Sequence, residues 1–178
     1  MVNSAGSIVT KARILFGFVA LAAAVESILP ASAFNQPVLG ASRRDWNPQT
    51  FWFSPWGKSG VHKGIDIFAA RGETVMAAQT GVVLWRGEIA QGGKVILVLT
   101  PRGWLHYYAH LNQMQTKPGA WVVAGEPIGE VGASGNAAGK PAHLHYSVLT
   151  LVPRPWEMRW APQGWKRAFY RDPGALLP

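Results

Sequence analysis

The histidines of this chain fall in three short clusters, and histidine is the side chain best suited to metal binding and proton transfer near neutral pH. They lie at His62, at His106 and His110, and at His143 and His145. The chain has no cysteine, so a metal site could use only nitrogen and oxygen ligands, and a cysteine nucleophile is excluded. The clusters therefore direct attention to a metal held by imidazole and carboxylate groups.

The first cluster reads His62-Lys63-Gly64-Ile65-Asp66, which places an imidazole and a carboxylate four residues apart. Both groups are good zinc ligands. The spacing would also suit one face of a helix, but Gly64 and the β-branched Ile65 favour a loop that enters a strand. Taken alone, the pair is a weak signal and is better interpreted as an ordinary surface histidine and aspartate.

The third cluster, His143-Leu144-His145, begins an apolar run that continues through residues 146–149. A strand places alternate side chains on one face, so both imidazoles should point into the same space. One ring could then bind a metal while the other lies just beyond it. The alternative is a pair of histidines packed on a polar face.

The second cluster also lies in strand-like sequence, and alternation predicts that His106, Tyr108 and His110 share a face. At least His110 could then join the same site. Three protein ligands and an open position are typical of catalytic zinc, which lowers the pKa of its bound water to about 7 and polarises a carbonyl group. The remaining histidines could supply the base and the oxyanion partner that hydrolysis needs.

Short β-type segments carry these clusters, and glycine or proline separates nearly all of them. Gly92-Gly93 is spaced like a hairpin turn, and no convincing helical period extends over ten residues after residue 33. We therefore predict an all-β or β-rich domain of antiparallel sheets, with an open groove that holds the metal. The predicted strands are residues 74–78, 81–86, 94–100, 104–110, 121–123 and 143–149.

The N-terminus has the pattern of a secretory signal peptide. Lys11 and Arg13 precede an apolar run from Ile14 to Val25, and the small residues Ala31-Ser32-Ala33 follow. The run is too short to span a bilayer, which takes roughly 20 residues. We predict a signal peptide at 1–33, a lead-in at 34–50 and one domain at 51–178, with a core at 51–150 and an irregular, Trp- and Pro-rich C-terminal wrap at 151–178.

Removal of the signal takes away two basic residues and one acidic residue, so the net charge of +8 becomes +7. A basic surface favours anionic partners such as nucleic acid, anionic lipid or an acidic wall polymer. The basic residues are scattered, and export favours the cell wall over nucleic acid. We therefore expect no nucleic-acid partner and no stable membrane span after signal removal.

The three clusters, in this order, resemble the motifs of the lysostaphin-type, or LytM-type, zinc metallopeptidases of the bacterial cell wall. His62–Asp66 matches that family's His-x-x-x-Asp, Tyr108–Leu111 its Tyr-Ala-His-Leu, and His143–His145 its His-x-His. Ser54–Gly57 resembles the family's Ser-Pro-Phe-Gly, and Gly125–Gly129 its loop before the last histidines. The likeness covers about residues 51–150.

This resemblance implies that His62, Asp66 and His145 bind one Zn²⁺ ion, and that His110 and His143 act on the attacking water and the developing oxyanion. It does not show which of the last two is the general base. The implied activity is that of an exported zinc metalloendopeptidase. Its partners would be the stem peptides and cross-links of peptidoglycan, and its location the periplasm or the extracellular cell wall.

The match departs from the family pattern at Lys58, where an arginine is usual, and in the Trp-rich tail that begins at Pro153. His106 matches no family role, and we expect a strand-end histidine outside the site. Two other functions remain open. One is a non-catalytic regulator that activates other cell-wall hydrolases, and the other is a sugar- or wall-binding module that uses the tryptophans.

Overall fold

The computed structural model describes residues 33–178, so the predicted signal segment lies outside the described residues apart from Ala33. Several segments of this part of the chain alternate buried and more exposed side chains, which suits strands with one buried face. Ten strands form: β1 Ile65–Phe68, β2 Thr74–Met76, β3 Gly81–Ile89, β4 Gly93–Leu99, β5 Trp104–Leu111, β6 Gln113–Met114, β7 Trp121–Val122, β8 Pro127–Glu130, β9 His143–Thr150 and β10 Tyr170–Arg171.

The strands build two antiparallel sheets. The larger sheet has the order β1-β9-β5-β4-β3-β7, and β10 extends the edge of β9 beyond the end of β1. The smaller sheet has the order β2-β8-β6. A hairpin through Gly92 joins β3 to β4, where Ile89 pairs with Gly93. The predicted β-rich, antiparallel fold and the predicted hairpin are therefore confirmed.

One face of the large sheet forms the hydrophobic core, which also takes in side chains of the small sheet. Its contributors include Ile65 of β1, Tyr108 of β5 and Tyr146 of β9, which are fully buried. Val75 and Ile128 reach the same core from β2 and β8. Because neighbouring side chains of a strand point to opposite faces, the residues between these positions face away from the core. That second face of the large sheet forms the floor of an open cleft.

The helical part of residues 33–178 is small. It consists of short 3-10 segments and one α-helical turn, and the longest segment has six residues. None of these helices has the length and apolar character needed to cross a bilayer. The helical segments are the 3-10 turns Pro48–Thr50, Gly57–Ser59, Gly135–Ala137, Pro155–Glu157 and Gly164–Phe169, and the α-helical turn Pro173–Leu176.

The C-terminal tail, predicted as an irregular wrap, contains several short elements. Two 3-10 segments, the short strand β10 and the final α-helical turn fold it into a series of turns. Asp172 caps the last turn, because its carboxylate accepts a hydrogen bond from Gly174 N at 2.9 Å. Tyr170 and Arg171 pair with Leu149 and Val148, which adds the tail to the large sheet.

Candidate metal centre

The pairing of β1 with β9 places a carboxylate beside an imidazole. Asp66 lies directly opposite His145 in the antiparallel register, and both side chains face the cleft. Directly opposed residues have their Cβ atoms about 4.5–5.5 Å apart, which is close enough for their side chains to share a ligand. Ile65 and Ile67 alternate with Asp66 and bury themselves in the core, so the register of β1 is fixed by packing.

The loop before β1 brings His62 to the same place. Its backbone is held by Trp52 N, which donates to His62 O at 2.7 Å, and by His62 N, which donates to Phe53 O at 3.0 Å. Trp56 stacks on the imidazole with ring centroids 4.2 Å apart. Gly64 allows the loop to pass against β9, because a Cβ atom there would lie 2.3 Å from Tyr146 O. This close approach explains the glycine within the His-x-x-x-Asp motif.

Three potential ligand atoms converge at this point. His62 Nε2 lies 3.1 Å from Asp66 Oδ1 and 3.1 Å from His145 Nδ1, and His145 Nδ1 lies 2.8 Å from Asp66 Oδ1. Zinc bonds of about 2.0–2.1 Å to nitrogen and oxygen place tetrahedral ligands about 3.3 Å apart. The triangle is therefore close to the size that zinc requires, and these three residues form a group able to hold a metal ion.

The outer nitrogens of both imidazoles have hydrogen-bond partners. For His62, that partner fixes which nitrogen carries the proton. His62 Nδ1 lies 3.1 Å from the carbonyl oxygen of Thr50, which can only accept a hydrogen bond. The neutral His62 ring therefore carries its lone pair on Nε2, directed toward the carboxylate of Asp66. The hydroxyl of Ser147 lies 3.0 Å from His145 Nε2. Such outer contacts orient imidazoles that bind a metal.

The charge of the group also suits a cation. Burial alone would raise the pKa of Asp66, but the neighbouring His145 and His62 side chains hold that pKa well below its usual range. Burial lowers the pKa of His145, with Asp66 opposing the shift. At neutral pH the group therefore offers an anionic oxygen from Asp66 beside the imidazole of His145, which favours its neutral state, and both are donors that zinc binds.

A β-bulge in β5 brings His110 to this cleft. Lys94 of β4 pairs with Leu111 whereas Ile96 pairs with Tyr108, so β5 has one extra residue in this interval. His110 itself has φ of 63°, in the left-handed region. The extra residue breaks the alternation, and His110 lines the cleft while Tyr108 points into the core. The prediction that His106, Tyr108 and His110 share a face is therefore wrong.

His110 and His143 form a second pair beside the three potential ligands. Their ring centroids are 5.0 Å apart, and the His110 ring lies 5.9 Å from that of His145. His110 Nδ1 donates to Ser134 O at 2.9 Å, and His143 Nδ1 donates to Pro141 O at 2.8 Å. Both neutral rings therefore carry the lone pair on Nε2. Neither Nε2 atom has a protein partner within residues 33–178.

The environment of His110 favours its neutral form. Burial lowers its pKa to about 4, and the neighbouring His145 and His143 add to the shift. The single N–H of the neutral ring is donated to Ser134 O, so the ring can accept a proton at Nε2. His110 is thus a proton acceptor in the state that the structure describes.

His106 lies apart from the site. It is fully buried in the middle of β5, on the core face, and its Nδ1 lies 2.7 Å from the Tyr146 hydroxyl. It is therefore outside the cleft, as we expected, but the expectation of a strand-end histidine is wrong. The alternation of β5 holds for His106 and is interrupted only near His110.

The cleft above these residues is open and basic at its rim. It has a volume of about 860 Å³, and Asp66 is the carboxylate residue in its lining. Lys58 and Lys140 line it from the loops that carry Trp56 and His143. Neither lysine forms an ion pair within the described part of the chain. The cleft is therefore suited to an anionic, extended ligand.

Several groups that orient the histidine rings were not predicted from the sequence. The carbonyl groups of Thr50, Ser134 and Pro141 fix the imidazole rings, and backbone carbonyls leave no signal in residue type. Ser147 could have been found, because it follows His143 and His145 on the same face of β9. Ser134 also binds Lys94 N and Leu111 O through its hydroxyl, which ties its loop to the bulge of β5.

The antiparallel sheets and the His-Asp-His group define a class of β-sheet domain with a potential metal site in an open cleft. The chain belongs to peptidase family M23, whose sequence model matches residues 60–154, more than half of the chain.

Relatives in this family differ in the roles that their names state. The chain is 38% identical over 125 residues to the L-Ala--D-Glu endopeptidase of Bacillus subtilis, covering 65% of this chain and 37% of that protein. It is 29% identical over 105 residues to the murein hydrolase activator NlpD of Escherichia coli, covering 58% of this chain and 27% of that protein. The chain therefore spans well under half the length of these relatives.

The fold is also that of a solved peptidase. The catalytic domain of lysostaphin from Staphylococcus simulans superimposes with a TM-score of 0.55 and 27% identity, covering 67% of this chain and 82% of that one. The resemblance to lysostaphin-type and LytM-type peptidases is confirmed at the level of family and fold.

Proposed function

We propose that this chain is an exported zinc metalloendopeptidase that hydrolyses peptide cross-links in bacterial peptidoglycan. The observation that carries the proposal is the convergence of His62 Nε2, Asp66 Oδ1 and His145 Nδ1 within 3.1 Å of one another. These three residues would hold Zn²⁺, one ion per chain. Zinc supplies Lewis-acid activation of water and of a peptide carbonyl.

His110 and His143 would perform the proton transfers. Each ring is fixed by a backbone carbonyl at Nδ1, so each presents Nε2 as a proton acceptor in a defined direction. One of them takes the proton of the attacking water, and the other, when protonated, donates to the developing oxyanion. A proton held on either ring can then pass to the leaving amine, which completes hydrolysis of the peptide bond.

The charges of the cleft support a stem-peptide substrate. Lys58 and Lys140 both line the cleft that holds the histidines, and Asp66 would be committed to the metal. Stem peptides of peptidoglycan carry free carboxylates, whereas glycine bridges are neutral. Two unpaired cations at the rim therefore favour a D-amino-acid cross-link over a glycine bridge.

A non-catalytic regulator is the alternative, because the similarity to NlpD extends over residues of the same family domain. A regulator needs no metal and no proton acceptor. The His-Asp-His group and the oriented rings of His110 and His143 would then have no role in the function of the protein. For the same reason, we favour the peptidase over a sugar-binding module.

The test is zinc content together with hydrolysis of purified peptidoglycan by residues 34–178, the proposed mature protein. We expect about one zinc per chain and release of soluble peptide fragments. His145→Ala should lose both zinc and hydrolysis. His110→Ala should keep zinc and lose hydrolysis by at least about 10²-fold, because general acid or base catalysis contributes about 10² to 10⁴.

A matched control is His106→Gln, which exchanges a histidine that lies outside the cleft. This variant should retain zinc and hydrolyse peptidoglycan within about tenfold of the parent rate, because it makes no transition-state contact. A parent protein that binds zinc but releases no fragments would refute the peptidase and support the regulator. Absence of zinc from the folded parent would refute the metal site.

A further inference from the structure

The C-terminal tail contains a loop that projects from the domain, and we call residues 154–168 the tryptophan loop. Its base is closed by Arg154 N, which donates to Ala168 O at 2.7 Å. Nearer its tip, Arg159 N donates to Gly164 O at 3.3 Å, and Gly164 N donates to Ala161 O at 2.8 Å. These backbone hydrogen bonds hold the loop in a defined conformation. The side chains at its tip therefore extend from an ordered backbone.

Large apolar side chains cover the tryptophan loop and face solvent. Trp160 is fully exposed, Trp156 is 67% exposed, Trp165 is 60% exposed and Met158 is 44% exposed. By contrast, Trp46 near the start of the domain is buried in the core. Four large apolar side chains exposed within one 15-residue loop are more than singly scattered surface residues, and such concentrations are typical of interaction surfaces. The loop therefore has the character of a docking element.

The polar side chains of the loop are mainly basic. It contains Arg154, Arg159, Lys166 and Arg167, and its one acidic residue is Glu157, so its net charge is +3. Glu157 is engaged by Arg154 at 3.0 Å and approached by Arg159 at 3.9 Å. The charge that remains available to a partner is positive, and the partner is therefore anionic.

The cations lie beside the exposed rings. The guanidinium carbon of Arg154 lies 5.6 Å from the ring centre of Trp156, and Lys166 Nζ lies 5.5 Å from that of Trp165. Tryptophan rings settle at the headgroup level of a bilayer, and neighbouring basic side chains attract anionic lipid headgroups. The tryptophan rings therefore suit the headgroup level of a bilayer, and the cations beside them suit its anionic headgroups.

The loop is less well suited to a sugar chain. Sugar hydroxyl groups need partners that accept as well as donate hydrogen bonds, such as carboxylates and amides. The amide of Gln163 already donates to Ser59 O at 2.8 Å and accepts from Lys166 Nζ at 3.1 Å. The carboxylate of Glu157 is held by arginine. The remaining charged groups of the loop are donors only.

We propose that the tryptophan loop docks this protein onto the anionic lipid surface of a membrane, with Trp156, Trp160 and Trp165 in the headgroup layer. The bond from Gln163 to Ser59 joins the loop to the rim of the cleft, since Ser59 lines that cleft. Docking would therefore hold the cleft next to the membrane surface. The proposal concerns binding alone and holds whether or not the cleft is catalytic.

The test is co-sedimentation of residues 34–178, which form one unit with its own core, with lipid vesicles. We expect binding to vesicles of phosphatidylglycerol and phosphatidylcholine, and weak binding to phosphatidylcholine alone. Trp160→Ala should weaken binding by at least about tenfold, because a buried indole is lost from the lipid layer. Arg159→Gln should weaken it by about fivefold, the effect of one cation near an anionic surface.

Trp121→Ala is the matched control, because Trp121 is 59% exposed on β7, outside the loop. It should bind vesicles as the parent does, and all variants should keep the parent melting temperature. Equal binding by Trp160→Ala and the parent would overturn the proposal, as would equal binding to anionic and neutral vesicles. Binding to purified glycan strands that is lost in Trp160→Ala, without vesicle binding, would assign the loop to sugar instead.

Discussion

Exchange of His106 for glutamine should make the protein less sensitive to acid. His106 is fully buried, and burial lowers its pKa to about 3 from the ordinary value of 6.5. Its Nδ1 contacts the Tyr146 hydroxyl at 2.7 Å, and its Nε2 is buried with no partner in the described part of the chain. Protonation of this ring in the folded state would therefore place an unsatisfied charge in the core.

The size of the effect follows from the two pKa values. Above pH 6.5 the ring is neutral in both the folded and the unfolded chain, so it contributes no pH dependence. Below pH 6.5 only the unfolded chain takes up the proton, and the free energy of unfolding falls by about 1.4 kcal/mol per pH unit. This loss ends near the folded pKa of about 3. Between pH 6.5 and pH 5 it amounts to about 2 kcal/mol.

The assay is urea unfolding of the chelator-treated parent and His106→Gln at several pH values. Metal is removed because its ligands also titrate, which would add a pH dependence of their own. The amide can still contact Tyr146, and any fixed cost of the exchange cancels when the pH profiles are subtracted. The stability deficit of His106→Gln relative to the parent should shrink by about 2 kcal/mol between pH 6.5 and pH 5. A deficit that stays constant would refute the assignment of His106 as a buried neutral ring.

Three further results are expected from the candidate site. His143→Ala should keep most of the zinc and lose at least about 10²-fold in hydrolysis, measured by metal analysis and fragment release, whereas loss of the metal would make His143 a ligand. Chelation should lower the melting temperature of the parent but not of His145→Ala, because a ligand stabilises only a chain that binds it. The double variant Lys58→Gln, Lys140→Gln should lose about fivefold or more in kcat/KM on a peptide with free carboxylates and little on its amidated form; equal losses would argue against charge recognition.

Several strands with one buried face were predictable, whereas β1 Ile65–Phe68 and β8 Pro127–Glu130 are not among the predicted strands. Residues 143–149 and 104–110 alternate strictly enough to predict β9 and β5, and the observed strands are His143–Thr150 and Trp104–Leu111. Two of the shortest strands were not predicted. β6 and β10 have two residues each, and a two-residue strand is too short to show a period. Their place is set by pairing with distant segments.

The motifs indicate that the first and third clusters lie close together, whereas residue spacing alone does not. Asp66 and His145 are far apart in sequence, and only the register of β1 against β9 makes them neighbours. The face of His110 could not be predicted, because strict alternation places it with His106. The left-handed conformation at His110 reverses that assignment. Histidine is enriched in this conformation, but it adopts it too rarely for residue type alone to predict it.

The chemistry of the cleft depends on backbone groups that residue type does not reveal. Carbonyl oxygens of Thr50, Ser134 and Pro141 each face the Nδ1 atom of a different histidine. Because a carbonyl can only accept, each contact places the proton on Nδ1 and the lone pair on Nε2 of a neutral ring. His62 thereby becomes a potential ligand, while His110 becomes a proton acceptor. What separates the two roles is the position of each Nε2 atom: that of His62 lies 3.1 Å from Asp66 Oδ1, and that of His110 has no protein partner within residues 33–178.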